Sequence, residues 1–204
     1  MEKVSEKEKK LDIYGKYRVG LTSVMEHTAA QIESFNGEER IFEHVLYRLK
    51  SDESMAEKLA RKGFPVTADA AVTEVRDAVG FRIVCRFIDD IYENIEKIRR
   101  LPGVTIVTEK DYVKNVKPNG YRSYHLILDA EAPGDTARGH YFVEVQIRTI
   151  AMDSWAALEH EMKYKHKVEN AELIGRELKR CADELASCDV SMQTIRNLIR
   201  KGNQ

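Results

Sequence analysis

The chain has 204 residues, 43% of them hydrophobic and 33% charged, which is the balance of a globular protein with a core of its own and a well-charged surface. Its formal net charge of -1 excludes a global electrostatic pull toward nucleic acid, so any anion site has to be a local basic patch. No apolar run approaches the roughly 20 residues that a bilayer span needs, the first ten residues read as no secretory or mitochondrial leader, and Cys85, Cys181 and Cys188 have no zinc spacing, which fits free thiols in a reducing cytoplasm.

Residues from Ser5 to Ser34 read as a helix, with Leu11, Tyr14, Val19, Leu21, Val24, Met25, Ala29 and Ile32 at helical intervals and Asn36-Gly37 as the stop. A second helical region runs from Ile41 to Lys62, broken near Ser51-Asp52, where Ser51 can cap a new helix. Along it Lys50, Ser54, Lys58 and Arg61 share one face, with Arg48 at the entry. That row is either a solvated face, neutralised by Glu53 and Glu57, or the set of cations that a polyphosphate requires. After a turn at Gly63-Phe-Pro65, residues Thr67 to Val75 form a short helix or an irregular run. Alternation then returns, with Phe81, Ile83, Cys85 and Phe87 inward and Arg82 and Arg86 outward, so a strand is expected. Asp77 stands just before it, placed to reach a metal or to cap or pair with Arg82. Asp89 is expected to cap a helix through Arg100, ended by Pro102-Gly103, and a strand follows from Val104 to Thr108.

The densest concentration of functional residue types is Lys117-Pro-Asn-Gly-Tyr121-Arg-Ser-Tyr-His125. Its Pro-Asn-Gly turn delivers a lysine, an aromatic face, an arginine and a histidine at a strand entrance. Aromatic plus cation suits a purine nucleotide, the ring stacking on the base and the charges meeting phosphate; a plain β-turn with strand aromatics is the alternative. The basic stretch Lys110 to Arg122 would equally suit single-stranded RNA. The cleanest strand is His140 to Thr149: Tyr141, Val143, Val145 and Ile147 face one way, and Glu144, Gln146 and Arg148 face the other, as a solvated face or as a site. Ala151 to Lys167 reads as a helix with Trp155, Leu158 and Met162 on its buried stripe. Ala171 to Ile199 reads as a long amphipathic helix, with Leu173, Leu178, Leu185, Met192, Ile195 and Ile199 spaced for packing or self-association.

Taken in order, Arg76-Asp77-Ala-Val-Gly80-Phe-Arg82, then Lys117 to His125, then Glu144-Val-Gln-Ile-Arg-Thr149, joined by Trp155 and Glu159-His160, the chain resembles the RelA/SpoT-type (p)ppGpp synthetases. The resemblance is clear over residues 40–167 and looser over the helical extensions 1–39 and 168–204. It implies an α+β fold, a mixed β-sheet of about five strands flanked by helices, of the nucleotidyltransferase-like kind. It further implies one stand-alone synthetase domain, with no hydrolase or regulatory domain: no histidine is followed by aspartate, as the hydrolase metal motif would require. The implied reaction moves the β,γ-pyrophosphoryl group of ATP to the 3′-hydroxyl of GDP or GTP. By the same resemblance Asp77 and Glu144 would hold Mg²⁺, with Glu144 also accepting the hydroxyl proton. Arg48 and Arg82 would sandwich the adenine, and Lys50, Ser54, Lys58 and Arg61 would meet the ATP phosphates. Tyr121 would stack on the guanine, Lys117 and His125 would meet the acceptor's phosphates, and Gln146 would support that side. Asp153, where small members carry Asn, would lie near the guanine. A homo-oligomer, a tetramer, is implied too. His44, Leu46, Met25 and Ala29, at positions where pppGpp-activated members differ, imply a weak or absent response to that nucleotide. The alternatives are a nucleotidyltransferase with another acceptor and a catalytically weak nucleotide- or RNA-binding regulator.

Overall fold

The computed structural model describes residues 11–37, 40–164 and 170–202, with the side chains of 163 and 164 outside that description. After a turn of 3-10 helix at Gly15–Tyr17 come α1 (Arg18–Glu33), β1 (His44–Leu49), α2 (Asp52–Arg61), α3 (Ala68–Thr73) and β2 (Val79–Cys85). Then follow α4 (Ile88–Ile98), β3 (Val104–Asp111), β4 (Tyr124–Glu131), β5 (His140–Thr149), α5 (Ile150–Tyr164) and α6 (Ala171–Gly202). The five strands make one mixed sheet in the order β1-β2-β5-β4-β3. Only β2 and β5 run parallel; the other neighbours are antiparallel.

Strict alternation decides the layers. Phe81 and Ile83 pair with Val145 and Ile147, and Leu126 and Leu128 pair with Val145 and Val143, so these side chains share a face. That face is the core: Ile83, Leu126, Leu128, Val143, Val145 and Ile147 are 0% exposed, and each such aliphatic side chain contributes about 1.5–3 kcal/mol on leaving water. Leu21, Val24 and Ile32 of α1 and Ile91, Ile95 and Ile98 of α4 cover it. The opposite face carries the polar members of the same alternation and stays open.

Several sequence expectations need correction. The stretch from Ile41 is not helical up to Ser51: His44–Leu49 is a strand, and the helix begins only at Asp52. Val45, Leu46, Tyr47 and Leu49 satisfy either period over so short a run, and long-range pairing with β2 settles the choice. Ser51 does cap α2, its hydroxyl accepting from the Ser54 amide at 3.2 Å. The helix expected from Ser5 begins at Arg18, and residues 1–10 lie outside the described residues. Phe87, not Asp89, is the N-cap of α4; Asp89 sits in the first turn and accepts from Gln193 Nε2 at 2.7 Å. Trp155 is buried as expected, whereas Leu158 and Met162 of the same helix are exposed. The part of that helix expected over 165–167 lies outside the described residues.

Candidate active site

The sheet register assembles the open face residue by residue. Arg48 of β1 lies across from Gly80 of β2, and Gly80 lies across from Glu144 of β5. One step along, Leu46, Arg82, Gln146 and His125 align in the same way across four strands. Residues at i and i+2 of a strand share a face, so one polar row and its neighbour define the floor of a cleft of about 790 Å³. Gly80 matters here because a Cβ at that position would meet nothing within 4 Å, so the floor beside Glu144 is bare. Helix α5 supplies the far wall through Ala156, Ala157, Glu159 and His160.

On one side of the cleft the charges converge on Asp77, in the loop before β2. Lys58 Nζ donates to its Oδ2 at 2.5 Å, and Lys50 Nζ lies 3.3 Å from the same oxygen. Burial raises the Asp77 carboxyl, but the Lys58 hydrogen bond and the Lys50 charge outweigh it and hold the group below its ordinary range. The other oxygen, Oδ1, is buried with no hydrogen-bond partner. Lys50 is itself fixed from behind, since the fully buried Tyr14 donates its hydroxyl to the Lys50 carbonyl at 2.7 Å.

On the other side Glu144 is half-buried. Burial raises its carboxyl, and this is outweighed by His125, whose Nδ1 stands 3.8 Å from Oε1 at ion-pair distance, and by the Gln146 amide, which donates to Oε2 at 3.0 Å. The nearby Asp77 charge opposes them, and the group is still held below its ordinary range. Tyr121 closes this half: its hydroxyl is 2.8 Å from His125 Nε2, and Lys117 Nζ and Arg148 Cζ lie 4.8 and 5.2 Å from its ring centroid. Both are cation–π distances.

Of the residues singled out from the sequence, Arg48, Lys50, Asp77, Arg82, Tyr121, Glu144 and Gln146 line this one cleft. Lys58, His125 and Lys117 are attached to it through Asp77, Glu144 and Tyr121. Asp153 is attached through Arg148 and Arg82, at 3.0 and 3.4 Å. Ser54 and Arg61 are not among the lining residues; both are exposed on α2. Asp77 pairs with lysines, and Arg82 pairs with Asp153 instead. Arg122 turns out of the basic stretch toward α6, donating to the carbonyls of Gly120 and Ala182 and to Asp183.

Arg148 is the cleft residue that sequence reasoning left without a role. It is 5% exposed, and it donates to Ser123 Oγ (3.3 Å), Asp153 Oδ1 (3.0 Å), the Tyr121 hydroxyl (2.7 Å) and Gln146 Oε1 (2.5 Å). Its signal was the shared face with Glu144 and Gln146, which placed it correctly without saying what it holds.

Residues 47–169 match the family described as the region found in RelA / SpoT proteins. GTP pyrophosphokinase YwaC of Bacillus subtilis is 40% identical over 154 residues, which is 76% of this chain and 73% of that protein. The crystal structure of small alarmone synthetase 2 from B. subtilis superposes with a TM-score of 0.79 at 33% identity, covering 89% of this chain and 98% of that one. Small alarmone synthetase 1 from the same organism, bound to its product pppGpp, superposes with a TM-score of 0.74 at 32% identity, over 91% and 95%. A matched domain that takes in all of the cleft lining but Leu46, together with relatives alike over most of their own length, leaves one assignment: this chain belongs to the RelA/SpoT family.

Proposed function

We propose that the protein is a GTP/GDP pyrophosphokinase, which transfers the β,γ-pyrophosphoryl group of ATP to the 3′-hydroxyl of GDP or GTP and yields ppGpp or pppGpp and AMP. The observation that carries this reading is the placement of Asp77 and Glu144 in one cleft, between lysines on one side and an aromatic, basic pocket on the other. The name of the B. subtilis relative, GTP pyrophosphokinase, and the pppGpp-bound neighbour support it.

In the reaction the 3′-oxygen forms a bond to the β-phosphorus, the bond from that phosphorus to the oxygen bridging to the α-phosphorus breaks, and AMP leaves with the bridging oxygen. The hydroxyl proton passes to Glu144, whose lowered carboxyl is ionised and ready to accept it at neutral pH. Such transfers depend on positioning and charge neutralisation more than on covalent catalysis. Arg48 and Arg82 flank the adenine; Lys50 and Lys58, with Ser54 and Arg61 further out on α2, meet the ATP phosphates. Tyr121 stacks on the guanine, while Lys117 and His125 face the acceptor's phosphates and Gln146 steadies that side. Asp153 stands behind the guanine pocket.

A Mg²⁺ ion fits the carboxylate pair, because Asp77 Oδ1 is a buried acceptor with no partner and carboxylate oxygens suit a hard cation. Among the described residues no group of three or more His, Cys, Asp or Glu is placed to hold a metal, so the ion would share Asp77 and Glu144 with nucleotide phosphates, as Mg²⁺ commonly does. When bound it would supply further neutralisation of the phosphate charge. The protein is expected to act in the cytoplasm as a homo-oligomer, a tetramer by family resemblance. In support of assembly, α6 exposes Met192, Ile195, Leu198 and Ile199.

The test is to mix the purified protein with Mg²⁺, labelled ATP, and GDP or GTP in turn, and to resolve the nucleotides. A new guanosine tetra- or pentaphosphate with matching AMP is the expected result. ATP consumed without a guanine acceptor would point to another nucleotidyltransferase, and tight nucleotide binding without turnover to a regulator.

A further inference from the structure

Asp153 lies in the first turn of α5, yet its carboxylate is shared between two strands. Arg148 of β5 donates from Nη1 to Oδ1 at 3.0 Å, and Nη1 of Arg82 on β2 lies 3.4 Å from the same oxygen. Arg148 goes on to donate from Nη2 to the Tyr121 hydroxyl and to Gln146 Oε1. One unbroken ionic and hydrogen-bonded chain, Arg82–Asp153–Arg148–Tyr121, therefore links one half of the cleft to the other, three of its members lining the cleft itself.

Its links are unequal. Arg148 is buried and held by four partners. The Arg82 side chain is 41% exposed, and its Nε is a buried donor with no partner. Arg82 is thus the end that a ligand rearranges. A purine ring laid on its guanidinium draws Arg82 off the shared oxygen and leaves Asp153 to pair with Arg148 alone. The carboxylate then pulls on Arg148 alone, and Arg148 holds the Tyr121 hydroxyl and stands over the Tyr121 ring, so the ring on which a second nucleotide stacks is held more firmly.

We propose that Asp153 is a positioning residue that couples the two nucleotide half-sites: a purine nucleotide on the Arg82 side raises the affinity of the Tyr121 side for a guanine nucleotide, and the reverse. The proposal rests on the assignment of donor and acceptor halves made above. Because coupling is reciprocal, the same factor must appear from either side.

The test is calorimetry on the full chain with Mg²⁺, a non-hydrolysable α,β-methylene ATP analogue and GDP. GDP affinity is measured alone and with saturating analogue, and analogue affinity alone and with saturating GDP. The expected result is a tightening of about fivefold or more, equal in both directions. In Asp153→Asn, which keeps size and loses charge, the ratio should fall to within about twofold of unity, and Asp153→Glu, which restores the anion, should recover part of it. A merely structural role would shift stability or both single affinities and leave the ratio alone. A wild-type ratio of one, or an Asn variant with the wild-type ratio, overturns the proposal. The nucleotide assay reports separately: guanosine product formed without coupling removes only this inference, whereas the absence of any guanosine product removes the functional reading as well.

Discussion

Two carboxylates in one cleft have opposite surroundings, and each supports its own prediction. Glu144 is flanked by His125, at ion-pair distance from one oxygen, and by the Gln146 amide, which donates to the other. Replacing it by Gln preserves shape and removes the proton acceptor. The expected outcome for Glu144→Gln is a kcat lower by about 10²-fold or more, with ATP and GDP still bound in equilibrium measurements; normal turnover would sink the mechanism. Asp77 instead is paired with Lys58 and Lys50. Its folded carboxyl is held below the unfolded value, so the pairing stabilises fully above about pH 4 and is lost as pH falls through the folded value. Asp77→Asn should therefore be less stable than wild type at pH 7, by about 1–3 kcal/mol, and the gap should narrow as the pH falls below the ordinary carboxylate range. Melting temperatures of both proteins across that range check this, and a gap that persists undiminished counts against the pairing. Both residues were legible in the sequence, Glu144 as an outward position inside an alternating strand and Asp77 as a carboxylate just before one. The lysines that hold Asp77 were legible only as a helix row, since nothing local links position 58 to position 77.

At the scale of elements, the acceptor side depends on how the loop before β4 meets α6. Gly120 has φ +91°, in the left-handed region, and a Cβ there would fall 2.6 Å from the Ala182 Cβ and 3.4 Å from the Lys179 Cα. Arg122 then staples the same loop to the Ala182 carbonyl, and Trp155 Nε1 donates to the Leu178 carbonyl at 2.7 Å. An alanine at 120 would cost about 1–2 kcal/mol in backbone strain alone and push the loop away from α6, moving Tyr121. Steady-state kinetics of Gly120→Ala should show the acceptor KM raised more than the ATP KM; an unchanged acceptor KM would mean that the loop is not positioned from behind. The Pro-Asn-Gly turn was readable from its residue types, but the helix that holds it, some sixty positions later, was read only as an amphipathic helix for packing or self-association. The misreading of β1 has the same origin. Residues 44–49 become a strand because β2 offers them an edge, with Tyr47 stacked on Phe81 at 5.3 Å between centroids, and a local period over six residues cannot report that.

For the whole molecule, α6 presents two different faces. Leu178, Ala182 and Asp189 are buried against the rest of the chain, Thr149 donates to Asp189 at 2.6 Å, and Arg196 pairs with the buried Asp90 of α4. Beside that face runs a stripe at helical spacing, Met192, Ile195, Leu198 and Ile199, exposed by 52, 51, 65 and 60%. Continuous exposed apolar surface of this kind marks an association site more often than a monomer's ordinary surface, and the spacing of 192, 195 and 199 suits a helix–helix seam. If the protein assembles through it, a charge placed there should split the assembly and spare the protomer, because these side chains touch little of their own chain. The double variant Ile195→Asp, Ile199→Asp should fold with the wild-type circular dichroism spectrum and sediment as a single chain, while the wild type sediments as a multiple of it. Wild-type protein sedimenting as one chain would remove the oligomer, and an intact assembly in the variant would move the interface elsewhere. Since the latch on Gly120 lies on the neighbouring face of this helix, the same variant should also show whether assembly tightens the acceptor side, through its acceptor KM.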